Sequence, residues 1–256
     1  MSGPFPTGSF RRRLRVVLED DGRVAAGLED DFHYFTVRLR HDGERVVAVD
    51  AGSRRWPWTT CPSAAEPLRA LVGMPLSPRC LAVGDWTDPR RNCTHMFDLA
   101  GLAVAHAARG GPPGRTRQYD VAIPAGAQAG GPHEVRLWRD GELRLTWVLD
   151  GRRCVDPPPY SETRWKGGFL RWADEHLAPD EAEAAIVLRR ACDIGMGRGM
   201  DLDAVPRAID LLDIQGPICH TMQPGVVEVS LRNTGTTRDF DGDPDALLAD
   251  GPGSRR

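Results

Sequence analysis

The sequence predicts an α+β fold assembled from two β-meander-plus-helices units, and three observations carry that reading. Segments of alternating hydrophobicity come in two groups of three. Each group is followed by runs with helical periodicity. A glycine- and proline-rich stretch, 110–118, separates the two sets.

The elements follow in order. Gly3, Pro4, Pro6 and Gly8 break any periodicity at the start, so residues 1–12 are expected to be disordered. The first unit, 13–110, then shows strand-like runs at 14–18, 34–39 and 46–49. His41-Asp42-Gly43-Glu44 is the hairpin turn between the last two, because the Asp-Gly pair accepts positive φ. Pro62 to Val72 reads as a short helix stopped by Gly73. Arg91 to Arg109 reads as a longer one, with Leu99, Leu102, Ala103 and Ala107 as its apolar stripe.

The second unit, 117–200, repeats the order. Strands are expected at 119–123, 134–138 and 143–147, with Asp140-Gly141 joining the last two, and helices at 161–176 and 180–195. Val37-Arg38-Leu39-Arg40-His41-Asp42-Gly43-Glu44 aligns without a gap to Val135-Arg136-Leu137-Trp138-Arg139-Asp140-Gly141-Glu142. A diverged duplication and a chance match of a common hairpin signature both account for this. Residues 201–256 form a C-terminal segment with a short helix near 205–212 and an acidic tail that ends frayed.

Composition removes several function classes. No stretch of the 256 residues approaches the ~20 apolar residues of a membrane span, and Arg11-Arg12-Arg13 precede only a short apolar run, so neither membrane partner nor secretory signal is expected. The protein is placed in the cytoplasm. Its 33 basic and 36 acidic residues are spread without a basic stripe, which argues against a nucleic-acid partner. The six cysteines are too sparse for a disulfide scaffold and read as core thiols or metal ligands. No Gly-x-Ser-x-Gly elbow or phosphate-binding loop occurs, which removes serine hydrolases and NTPases.

The residues that carry chemistry gather in the first unit. Asp31 and His33 stand where the second expected strand begins, Cys61 precedes a helix, and Cys93 with His95 opens the next one. Helix N-termini lower a thiol's pKa and favour the thiolate that binds metal. Core packing under the helices is the alternative for both cysteines. Inside regular helix Cys93 and His95 would diverge by ~200°, so they share an ion only if Cys93 occupies the irregular cap. Of the adjacent Cys219 and His220, only one can face a given site. The alternating Asp239, Asp241, Asp243 and Asp245 lack the glycine and terminal glutamate of a calcium loop and read as a solvated tail. The tryptophans serve the core or line a pocket for an aromatic molecule.

Two resemblances add to this reading. The runs Arg55 to Pro62 and Arg91 to Ala100, with Cys219-His220, Gln223-Pro224 and Arg238-Asp239-Phe240, resemble the bacterial family known as domain of unknown function 2889, over nearly the whole chain. That likeness implies a link to bacterial catabolism of hydrophobic or aromatic compounds. More distantly, the first unit is similar to NifU-like iron–sulfur cluster scaffold proteins, whose ligand places would fall on Asp31 or His33, on Cys61 and on Cys93. The glycines that flank the scaffold's second cysteine are here Thr60 and Pro62, and its first cysteine is missing. Loss of that thiolate implies a permanently held ion on His33, Cys61 and Cys93. Such a mixed set favours zinc with an open, catalytic position.

The resulting expectation is a zinc-dependent lyase or hydrolase for a small hydrophobic or aromatic catabolic intermediate, with retro-aldol C–C cleavage as one reaction that suits a metal-stabilised oxyanion. His95, Asp31 and His220 are the candidates for proton transfer. The rival from another class is a non-catalytic metal or iron–sulfur carrier, and a metal-free binding protein using the tryptophan-rich second unit is the third.

Overall fold

The computed structural model describes residues 8–253 apart from 21, 126, 128 and 129, so the expected disorder of 1–7 and the tail end 254–256 lie outside the described residues. The fold is α+β, and the chain divides into two compact units. Among the described residues the first comprises 14–117, 201–238 and 248–253; the second comprises 8–13, 118–200 and 239–247. The expected C-terminal segment is therefore shared between them, 201–238 going with the first unit and 239–247 with the second. The strands are β1 (Phe10–Leu18), β2 (Arg23–Asp30), β3 (Tyr34–His41), β4 (Val46–Arg55), β5 (Thr116–Ile123), β6 (Pro132–Arg139), β7 (Glu142–Asp150) and β8 (Arg153–Asp156). Their hydrogen-bonded order is β4-β3-β2-β1-β5-β6-β7-β8. The β2–β3, β3–β4, β5–β6, β6–β7 and β7–β8 pairings are antiparallel.

Three departures from the sequence expectation have physical causes. Strand β1 begins at Phe10, so 10–12 are not disordered; the buried Arg12 interrupts the apolar alternation Phe10, Leu14, Val16 that would have shown it. Strand β2 was not anticipated, because Val24 to Asp30 are buried without alternation. Helix α1 (Thr94–Arg109) lies against β2 and β3. The C-terminal tail lies against the other face of β2: a Cβ on Gly27 would stand 2.8 Å from Pro252 Cδ and 3.3 Å from Leu248 Cδ2. Cover on both faces removes the need for polar positions. Finally, the expected helix over 62–72 is a 3-10 helix, Cys61–Leu71, in which Pro62 and Pro67 supply no N–H donor to an α-helical ladder.

Helix α1 is buried nearly all round, since a second 3-10 helix, Cys80–Asp85, covers its remaining side. At their closest approach a Cβ on Gly101 would stand 2.1 Å from the Cys80 carbonyl oxygen, so only glycine fits. In the second unit, α2 (Phe169–His176) and α3 (Pro179–Gly195) pack together. Trp147, Tyr160, Trp165, Phe169 and Trp172 form a continuous aromatic cluster, with the Arg189 guanidinium 4.2 Å from the Trp165 ring centroid. The acidic tail is partly tied down here, by Arg11–Asp241 at 3.1 Å and Arg198–Asp239 at 2.8 Å.

Both Asp-Gly pairs sit at hairpin tips, with different turns. Asp140 and Gly141 both have positive φ, 54° and 84°, which is the two-residue turn matching strand twist. At β3–β4 the Asp42 carboxylate instead accepts the N–H groups of Glu44 and Arg45, at 2.9 and 2.8 Å, in a longer loop.

Candidate metal centre

The β2–β3 connection is short. Asp30 ends β2, and its N–H donates to the His33 carbonyl at 3.0 Å. Its carboxylate oxygen Oδ1 accepts the N–H groups of Phe32 and His33 at 2.8 and 2.9 Å, and also meets His33 Nδ1 at 3.0 Å. With the carboxylate as acceptor, Nδ1 of His33 carries the hydrogen. This is the carboxylate–imidazole pairing that orients a histidine ligand.

His33, the residue before β3, stacks on Phe35 of that strand at 5.7 Å between ring centroids. His95, in the first turn of α1, meets them there. Its ring lies 4.0 Å from that of His33 and stacks on Phe35 at 5.6 Å between centroids. One ligand atom each from Asp30, His33 and His95 all fall within 4.8 Å of one another. Asp30 is fully buried, and both histidines are nearly so.

Cys93 is the N-cap residue of α1, in extended conformation, which is the irregular position it needs to approach His95; its Sγ lies 3.7 Å from His95 Nδ1. Cys61 starts the 3-10 helix, and its Sγ lies 3.6 Å from Thr221 Oγ1. Thr60 Oγ1 bonds both Thr221 and Ser230, and the His220 N–H donates to the Asn92 carbonyl, so the 219–222 segment is fastened beside both cysteines.

Of the expected ligands, then, His33 belongs to the Asp30–His33–His95 group, whereas Cys61 and Cys93 stand outside it. The expected lowering of thiol pKa at helix starts is outweighed by burial. Burial raises Cys61 to about 12 and holds Cys93 well above the ordinary thiol value. Cys219 is raised by the same cause. His95, expected as a proton carrier, stands among the ligand-capable groups. Asp31 is buried in the same turn, with its carbonyl accepting from Arg55 and from the Arg238 N–H, each at 2.8 Å. His220 meets Ser63 Oγ at 2.9 Å; the Ser63 hydroxyl donates to the Thr60 carbonyl, so the His220 Nε2–H is the donor there. Burial lowers the His220 pKa. Sequence reasoning missed Asp30, and the available signal was its place three residues before His33.

Among the described residues, no helix is long and apolar enough to cross a membrane. No curated protein matches the chain. The model of a family described as "Protein of unknown function (DUF2889)" matches residues 12–109, a shorter stretch than the nearly full-length likeness expected. That stretch, which is similar to the family, carries Asp30, His33, Cys61, Cys93 and His95.

Proposed function

We propose that the first unit is a metal-dependent enzyme, a zinc lyase or hydrolase, acting on a small hydrophobic or aromatic molecule. The observation that carries this reading is the convergence of Asp30, His33 and His95 within 4.8 Å. Two imidazoles, one of them held by a buried carboxylate, suit part of a catalytic zinc site that keeps a position open for water or substrate. The same donors suit iron(II), so metal content decides the ion. A zinc ion held there supplies Lewis acidity toward a substrate oxygen and lowers the pKa of bound water. Asp30 fixes the His33 ring, Phe35 supports His95, and Asp31 and His220 remain the groups available to move a proton.

A second reading is a metal or iron–sulfur carrier on a fold related to the scaffold proteins. It rests on the resemblance of the first unit to those proteins, with Cys61 and Cys93 each at the start of a helical element.

Elemental analysis of the untagged protein and its variants separates the two. The enzyme reading expects about one colourless equivalent of zinc, lost in His33→Ala and His95→Ala and retained in Cys61→Ser and Cys93→Ser. A brown protein after anaerobic purification, with visible charge-transfer bands lost in Cys61→Ser, establishes the carrier instead. Protein from metal-replete cells that binds neither ion overturns both.

A further inference from the structure

A cleft of about 520 Å³, joined to the 30–33 turn through Arg55, is lined by Arg54, Arg55, Arg232 and Arg238, with Trp56 at its side. It lies wholly within the first unit. Four guanidinium groups around one cavity create a strong positive field unless carboxylates offset them. Three are offset. Arg55 pairs with Glu29 at 3.1 Å, Arg232 with Asp203 at 2.8 Å, and Arg54 with Asp250. Arg238 is exposed, and its Nη1 bonds only the carbonyls of Gly235 and Thr237, at 2.9 and 3.0 Å. The cleft thus carries one positive charge without a carboxylate partner among the described residues.

The other arginines set its shape. Arg55 spends its donors on the carbonyls of Asp30, Asp31, His33 and Thr236 as well as on Glu29, so it welds the cleft wall to the turn that holds Asp30 and His33. Arg232 is buried and bonded to Asp203, the Pro57 carbonyl and Thr237. Both are committed to structure. Arg238 donates its backbone N–H to the Asp31 carbonyl, so the available guanidinium is carried by a residue anchored to the same turn.

We propose that this cleft binds the carboxylate of a small aromatic or apolar acid, with Arg238 as the cationic anchor and Trp56 against the apolar body. A single uncompensated guanidinium matches a monoanion in charge, and its planar fork matches a carboxylate in geometry. A phosphate monoester brings about two negative charges against that one cation. As the place where the substrate's charged end is held, the assignment rests on the metal-centre reading. As a binding site it stands on the cleft alone.

The test uses benzoate on the full-length protein, by calorimetry and by tryptophan fluorescence, with benzamide and inorganic phosphate alongside. Benzoate is expected to bind at least tenfold more tightly than either. Arg238→Ala should weaken it about ten- to a hundredfold, as loss of a charge-assisted contact does. Arg238→Gln should weaken it similarly, and both variants should keep the wild-type melting temperature because Arg238 is exposed. Trp56→Phe should abolish the benzoate-dependent fluorescence change. His33→Ala should lose metal and still bind benzoate, which separates a failure of the metal reading from a failure of this one. Benzamide binding as well as benzoate, phosphate binding more tightly, or benzoate affinity unaltered in both Arg238 variants overturns the proposal.

Discussion

A single carboxylate oxygen of Asp30 holds both the backbone of its turn and the ring of His33, with contacts of 2.8, 2.9 and 3.0 Å to Phe32 N, His33 N and His33 Nδ1. Its two roles are separable by substitution. Asp30→Asn keeps an acceptor for all three donors and removes only the charge. Metal affinity, read by competition with a chelator, should therefore fall roughly 10- to 100-fold with little change in the stability of the metal-free protein. Asp30→Ala strands buried N–H groups and should cost about 1–3 kcal/mol in chemical denaturation. Wild-type metal affinity in Asp30→Asn would assign the carboxylate to the turn alone.

Gly101→Ala tests the close approach of α1 to the 3-10 helix Cys80–Asp85. The new methyl would stand 2.1 Å from the Cys80 carbonyl oxygen, so α1 and the 3-10 helix must separate. The expected cost is about 1–3 kcal/mol or more, as for other overpacked cores. Gly84→Ala is the control, since its nearest neighbour would be Phe97 Cζ at 3.7 Å, an ordinary contact. A Gly101→Ala protein as stable as Gly84→Ala would refute the close approach.

Stability should fall at alkaline pH, and Cys192 on α3 is the cleanest reporter. Burial raises its thiol pKa far above the ordinary value of 9.0. Between those two values the unfolded chain has released the proton and the folded chain has not, so each further unit of pH favours unfolding, by up to about 1.4 kcal/mol for this group. The effect is absent below the ordinary thiol value. Urea melts from pH 8 to 10.5 should show the decline, and Cys192→Ala should make it shallower, leaving the share of the other buried thiols, Cys61, Cys93 and Cys219. Parallel profiles for the two proteins would place the alkaline sensitivity elsewhere.

The sequence was most legible where one face of an element meets solvent or a turn needs special backbone angles. Strands β3, β4, β5, β6 and β7 announced themselves by alternation, and Asp42-Gly43 and Asp140-Gly141 as turn pairs. Helix α1 was read to within a few residues from its start signals and its glycine stop. Legibility failed at β2, where cover on both faces erases the pattern, and that failure hid Asp30, the last residue of the strand. His33, Cys93 and His95 were found because their residue types stand out at element starts. The arginine cleft was not, because Arg54, Arg55, Arg232 and Arg238 come from segments some 180 residues apart that no local pattern connects. The C-terminal partition was equally hidden, since Leu248 docks on Glu29 through its backbone N–H rather than through any sequence signature.

The double cover of β2 also sets a timescale. Its amides lie in an inner strand, bonded on both sides, with α1 over one face and the 248–252 tail over the other. Solvent deuterons reach Ala25 to Leu28 only when the whole first unit opens, so their exchange reports its global unfolding, whereas the Asp42 to Arg45 hairpin tip exchanges through local fraying. Slow exchange is therefore expected up to Asp30, so the residue that orients His33 is anchored to a strand covered on both faces.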